Sequence, residues 1–283
     1  MAAMHVDLLG VGLIGPGLAS WAAAQPVLGG PADYAAAPTV VPPPQRLPPA
    51  ERRRAGASVK IAMAVADAAC LDAGADPQQL ASVFTSSSGD GVNCHALCEA
   101  LAGPNPADRL ISPTRFTNSV HNAAAGYWHI AVGSRAPSTS LCAFDTSFGA
   151  GLMAALTQVH ALRQPLLLVS IDTPYPQPLH ATRPLPDTMG VALVLAAPQA
   201  LTDGPQAPAV RARLAVELLP LEQAGPLTPC RDAGLEVLRQ QIPAAQALPL
   251  LEALARREPT CVVIASAPAL ALKISLSFGA FDA

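Results

Sequence analysis

Two short, almost uninterrupted apolar runs, LLLVSI at Leu166–Ile171 and VALVLA at Val191–Ala196, constrain the fold of this chain more than any other feature. A strand with one face in water alternates apolar and polar residues. A run that is apolar throughout needs cover on both faces. Helical periods supply that cover. In Ser58–Leu71, Val59, Ala62, Met63, Ala66 and Cys70 recur at helical spacing, with Ser58 as the expected N-cap and Gly74 as the stop. Further helices are expected at Gly17–Ala24 (one or two turns), Val92–Leu101, Asn122–Val132 and Gly149–Leu162. Strands are expected at His5–Val11, Ser82–Thr85 and Thr139–Phe144. Strands alternating with helices predict an α/β layered fold around a sheet buried on both sides. After about residue 205 the pattern weakens. Arg211–Leu218, Asp232–Gln240, Ala247–Arg257, Cys261–Ala265 and Leu270–Ser275 suggest a second α/β unit.

Composition narrows the function classes. The 283 residues suffice for one large domain or two small ones. Hydrophobic residues make up 51% and charged ones 13%, which excludes a disordered chain. The 17 basic residues are dispersed and net charge is −3, so no nucleic-acid partner is expected. A surface this poor in charge implies cover by another protein. No apolar run approaches the roughly 18 residues of a membrane span. The N-terminus lacks a basic region before its interrupted apolar stretch, so the chain is read as cytoplasmic, with no stable membrane insertion. Prolines cluster at 38–49, 174–186 and 198–208, marking loops or linkers.

Several motifs have a plain structural reading. Gly10-x-Gly12-x-x-Gly15 is a literal dinucleotide fingerprint, but Pro16-Gly17 follows where a helix should open, and a tight glycine turn is the better reading. The loop Ser86–Gly91 lacks the lysine of a phosphate loop. Glu51-Arg52-Arg53-Arg54 reads as a solvated face, with an acidic carrier protein as the alternative contact. Cys94-His95-x-x-Cys98 has no second ligand pair, so no metal is expected. Cys70, Cys142 and Cys261 sit in apolar periodic segments and are expected to be buried.

The most informative segment is Ser112–Leu162. A strand (TSLCAF) runs into Asp145-Thr146-Ser147-Phe148-Gly149-Ala150-Gly151, and a small-residue helix follows. Such a junction exposes the residue at its turn and aims helix amides at it, which suits a nucleophile. Here Phe148 holds that position.

Residues Asp145–Leu152 resemble, without a gap, the nucleophile turn of the β-ketoacyl synthase family, with Phe148 where the cysteine stands. Asn122–Gly126, Gly133–Ser138, Gly10–Gly17 and Gly190–Leu195 resemble other segments of its thiolase fold. Pro16-Gly17-Leu18 with Trp21, the Glu51–Arg54 run and Ser119–Trp128 are similar to the short chain-length-factor-like proteins of aryl-polyene and related type II polyketide systems. The likeness covers about residues 5–200, roughly the N-terminal half of a full synthase. It implies a thiolase-like layered fold over 1–200, with a short C-terminal α/β extension at 201–283 packing on the same core.

Two departures shape the expected function. The cysteine is absent, and no histidine follows residue 200 to serve as a second-half base. The resemblance therefore implies a non-catalytic chain length factor without a cofactor. It would pair with an active β-ketoacyl synthase subunit, meet acyl carrier protein transiently, and shape the acyl tunnel. The implied interface is Asn122, Gly126, Tyr127, Trp128, Leu141 and Phe144. The implied tunnel lining is Cys94, Leu97, Cys98, Phe116 and Phe148, with the gate on the helix Val92–Leu101. The alternative is an acyltransferase whose nucleophile has moved to Cys142 or Cys94.

Overall fold

The computed structural model describes residues 3–198 and 209–279. The proline cluster at 198–208 and the expected boundary at residue 200 fall almost wholly outside the described residues.

Among the described residues eight strands form one sheet, in the order β3-β2-β4-β5-β1-β6-β8-β7. The strands are β1 (Met4–Ile14), β2 (Ala81–Ser86), β3 (Ser138–Cys142), β4 (Leu166–Asp172), β5 (Met189–Ala196), β6 (Ala212–Pro220), β7 (Thr260–Ala267) and β8 (Leu270–Ser277). β2 runs parallel to both β3 and β4, and every other pairing is antiparallel. The helices that concern the site are α1 (Trp21–Gly29), α2 (Pro49–Arg54), α3 (Ala57–Ala73), α4 (Gly91–Ala102), α5 (Pro113–Thr117), α6 (Ala123–Val132) and α7 (Ser147–Leu162). After these come α8 (Leu179–Thr182), α9 (Leu221–Ala224), α10 (Ala233–Gln241) and α11 (Leu248–Arg256).

The two apolar runs are covered on both faces. Leu166 and Leu168 of β4, with Val191, Leu193 and Leu195 of β5, pack into the core that holds α7 and α11. The intervening Leu167, Val169, Ala192 and Val194 pack into the other core, with α3 and Trp128 of α6. The period of two thus sends alternate side chains into different layers.

The glycine motif in β1 serves this packing. A Cβ on Gly12 would lie 2.0 Å from the Val65 carbonyl oxygen, and one on Gly10 would lie 2.4 Å from that of Ala69. Both glycines let α3 lie close against the strand. The chain closes its turn with a Gly15–Leu18 bridge and no helix opens there. The first helix begins later, at Trp21, with Ser20 accepting from the Ala23 amide at 3.2 Å. Helix α3 is capped by Gly56 and not by Ser58, whose hydroxyl points to Asp90 at 3.2 Å. Gly74 ends it in the left-handed conformation, as expected.

The weak C-terminal pattern does not form a separate unit. β6 pairs with β1, so β6, β8 and β7 extend the same sheet. Gly149 at the start of α7 packs against β7, where a Cβ would lie 2.0 Å from the Ala265 carbonyl oxygen.

Candidate functional site

Beyond Cys142 the chain passes through a 3₁₀ turn, Phe144–Thr146, into α7 at Ser147. The left-handed residue of this turn is Phe144, at φ +52°, and not Phe148. Ser147 is wholly buried. Its hydroxyl accepts from the Ala143 amide at 3.0 Å and lies 2.9 Å from the Ser86 carbonyl and 2.7 Å from that of Phe144. Thr146 bonds the Ala143 carbonyl at 2.9 Å. These contacts lock the turn, and Phe148 points into the core with 0% exposure. The expectation that this position stands exposed is therefore corrected. It sits in the first turn of α7, sealed among apolar side chains, and presents nothing to a substrate.

Phe144 faces the other way, with 59% of its surface exposed. The Arg183 guanidinium lies 3.6 Å over its ring. Arg183 also pairs with Asp145 and donates to the Tyr175 hydroxyl at 2.7 Å. Tyr175 lies 3.2 Å from the Ser87 hydroxyl, and the Ser87 amide donates to Asp172 at 2.8 Å. The second oxygen of Asp172 accepts from the Ala244 amide at 2.8 Å. Burial pushes the Asp172 carboxyl up to about 6, against the opposing pull of the Ser87 and Ala244 hydrogen bonds and of Arg183. Sequence reading missed Arg183, Tyr175 and Asp172. The first two lie in the proline-rich segment read as a loop, and Asp172 terminates an apolar strand.

Among the described residues β3 is an edge strand, paired only with β2. Exposed apolar side chains stand on α5, α6 and the segment between them, namely Phe116, Ile130 at 81% and Val120, and Val120 shares a small cleft with Leu141 of β3. A groove of 560 Å³ is lined by Leu47, Val120, Asn122, Gly126, Tyr127 and Ile130. Of the expected interface residues, Asn122, Gly126 and Phe144 are exposed, and Tyr127 and Leu141 are half-buried. Trp128 is a correction. It has 0% exposure and packs in the core of its own chain, because α6 turns that side of the helix toward α3 and the sheet.

The expected tunnel residues scatter. Leu97 is buried, Cys94 is half-buried, Cys98 and Phe116 are exposed, and Phe148 lies in the opposite core layer from α6. None of them lines the 560 Å³ groove or the neighbouring 410 Å³ one. The Cys94 thiol is pushed up by burial, with Asp90 and Cys98 adding to the rise, which disfavours a thiolate. Cys142 is exposed, contrary to expectation, because β3 is an edge, and so is Cys261 near the start of β7; Cys70 is buried as expected. The Cys142 sulfur contacts the Ser86 hydroxyl at 3.8 Å, a group that cannot act as its base. His129 is held below its usual range by burial and contacts the Ser82 hydroxyl at 2.8 Å. His121 lies 3.3 Å from the Ser140 carbonyl on the edge strand. In the arginine run, Arg54 pairs with Glu51 at 2.8 Å and Arg52 donates to the Leu47 carbonyl at 3.0 Å. Among the described residues no His, Cys, Asp and Glu cluster has metal-binding geometry, and no helix is long and apolar enough to cross a membrane.

A mixed sheet between helical layers, with an edge strand feeding a 3₁₀ turn and a helix, is the layered α/β architecture that the resemblance to the thiolase fold implies. The chain belongs to the β-ketoacyl synthase family: residues 21–257 match the family model described as beta-ketoacyl synthase, N-terminal domain. No curated protein matches it. Among solved structures it is similar to a chain of the ketosynthase ApeO in complex with its chain length factor ApeC from Xenorhabdus doucetiae. The identity is 22% and the TM-score 0.68, covering 97% of this chain and 99% of that one. It is also similar to a chain of the ishigamide ketosynthase/chain length factor, at 15% identity and TM-score 0.69, with 97% and 99% covered. A third likeness is to a chain of AntDE:AntF, a type II acyl carrier protein in complex with its ketosynthase. There the identity is 12% and the TM-score 0.71, with 98% and 99% covered.

Proposed function

We propose that this chain is a chain length factor, a non-catalytic subunit that pairs with an active β-ketoacyl synthase in a polyketide or aryl-polyene system. The carrying observation is Phe148, wholly buried at the position where the resemblance places the synthase cysteine. No other side chain of that turn is placed to attack: Ser147 is buried and hydrogen-bonded on all sides, and Thr146 is committed to Ala143. The covalent route of a condensing enzyme has no nucleophile here. Beside this closed turn, the chain offers an unpaired strand edge flanked by exposed apolar groups. Such edges are usually protected, and pairing with a second subunit protects this one.

The partner of this reading is the synthase, joined edge to edge at β3 with Phe144, Asn122, Gly126 and Tyr127 at the contact. Acyl carrier protein visits the complex transiently and condensation takes place in the partner, in the cytoplasm. The chain's contribution is the shape of the acyl tunnel. Because the tunnel residues first expected do not share a cavity in this chain alone, the tunnel wall is assigned to Cys98 and Phe116, whose exposed side chains face outward for a partner to cover.

Reconstitution tests the reading. The purified chain alone should neither condense nor decarboxylate malonyl-carrier, while the co-expressed pair should elongate. Activity in the isolated chain would overturn the proposal. Cys98→Phe adds bulk at an exposed position and should shorten the product distribution without abolishing the first condensation. Unchanged lengths from an intact complex would move the gate elsewhere.

A further inference from the structure

Three non-glycine residues among those described have a positive φ: Phe144, Arg163 and Arg257. The two arginines close the C-terminal ends of α7 and α11, where the left-handed conformation is common. Phe144, at φ +52°, closes no helix and follows the edge strand β3. A bulky residue held there is strained, and such strain persists only where the surroundings fix it. The backbone is fixed from below: the Phe144 carbonyl lies 2.7 Å from the buried Ser147 hydroxyl. The exposed ring is held by the Arg183 guanidinium, stacked 3.6 Å over its centre.

Arg183 is itself anchored from inside the molecule. It donates to the Tyr175 hydroxyl at 2.7 Å, and Tyr175 is 6% exposed. Tyr175 lies 3.2 Å from the buried Ser87 hydroxyl. Two residues beyond Arg183, Leu185 seats the strap in the core at 1% exposure. On the outer side Arg183 pairs with Asp145, whose side chain is 65% exposed. An exposed ion pair and an exposed cation–π contact add little to the stability of a chain on its own, and the strained backbone subtracts from it. Such an arrangement gains its value when a second protein meets an aromatic side chain that is already ordered, because association then carries less of the ordering cost.

We infer, resting on the pairing with a synthase proposed above, that Arg183 is a positioning residue for that pairing, which holds the Phe144 ring in the orientation the synthase subunit meets. The planar guanidinium is essential to this role. Lysine would keep the charge opposite Asp145 but has no flat group to stack on the ring.

Competitive capture tests the role. Parent and variant full-length chains with different tags are co-expressed with a limiting amount of the synthase subunit. The ratio captured on the synthase is then compared with the ratio in the soluble fraction, which corrects for folding. Glycine accepts the left-handed conformation, so Phe144→Gly removes the ring and keeps the turn. Its capture should fall about tenfold, as for an interface anchor, while the thermal midpoint of the isolated variant stays at or above the parent's. Arg183→Gln and Arg183→Lys should both fall about fivefold, through loss of the stacked guanidinium. The double variant Phe144→Gly with Arg183→Gln should be captured no less than Phe144→Gly alone, because Arg183 acts through the ring. Undiminished capture of Arg183→Gln, rescue by Arg183→Lys, or losses that multiply in the double variant would overturn the positioning role. So would a lowered midpoint with undiminished capture in Phe144→Gly, which would make the ring part of the fold alone. Failure of the synthase to capture the parent chain would instead overturn the proposed function, and the positioning role with it.

Discussion

Phe148 occupies a closed site, and the chemistry of any replacement there follows from that closure. Truncation to alanine would leave a cavity and cost about 3–5 kcal/mol. Phe148→Cys reintroduces a thiol at the synthase position, yet the surrounding core admits no acyl group. The expected outcome is slow labelling of that thiol by an acyl electrophile, far behind Cys98 and Cys142, read by peptide mass spectrometry. Labelling of the introduced cysteine at the rate of those exposed thiols would show that the turn opens. Asp172 makes a prediction about pH. Its folded carboxyl titrates near 6, against 3.8 for the free group, so the folded state prefers it protonated. Its contribution to stability is then greatest below about pH 4, falls as pH rises to 6, and is flat above. Roughly two units correspond to a decline on the order of 3 kcal/mol. Asp172→Asn should be less stable overall, since its amide NH₂ meets one of the two N–H donors. Its loss of stability between pH 4 and 6 in denaturant titrations should be shallower than that of the parent. Equal slopes in the two proteins would remove Asp172 from the titration.

At the scale of elements, β3 and α6 carry the partner hypothesis. The strand is an edge, and the exposed face of α6 carries Ile130 beside the 560 Å³ groove. Ile130→Asp changes a side chain that its own chain leaves bare, so the fold should survive while co-purification with the synthase falls at least tenfold. An undiminished complex would move the interface off α6. Trp128→Asp is unsuited to that purpose, because it would place a charge in a core and unfold the chain. Position along a helix decides between these two residues, and the sequence alone did not distinguish them. The segment AAAGYWHIAV is apolar nearly all round, so its periodicity does not say which side faces inward. β3 posed the same problem: TSLCAF reads as apolar and therefore buried, whereas an edge strand with a partner-facing side needs the same composition. The exposure of Cys142 follows from this.

For the molecule as a whole, the N-terminal sheet was legible because its runs and helical periods are strong and local. The segments of β2, β4, β5, α3 and α7 all fall within a few residues of their observed limits. The C-terminal strands were legible as strands, but their place was not. Pairing of β6 with β1 joins residues about 200 apart, and no local pattern encodes such a contact. Part of the adhesion there is polar. Asp7, buried in β1, pairs with Arg213 of β6 at 2.7 Å, a bond between two residues that look unremarkable in the sequence. At the site, the missing nucleophile was legible as Phe148, while the network from Asp172 through Tyr175 to Arg183 and Phe144 depends on tertiary placement of a proline-rich strap. On the proposed function, condensation in the complex uses no thiol of this chain. The direct measurement is elongation by the reconstituted pair in which all six cysteines of this chain are replaced, Cys70 and Cys230 by Ala and the other four by Ser. The account predicts that complex formation and elongation persist, and that elongation disappears when the partner's own nucleophile is replaced instead. Loss of elongation from a folded, fully assembled complex bearing the cysteine-free chain would contradict it.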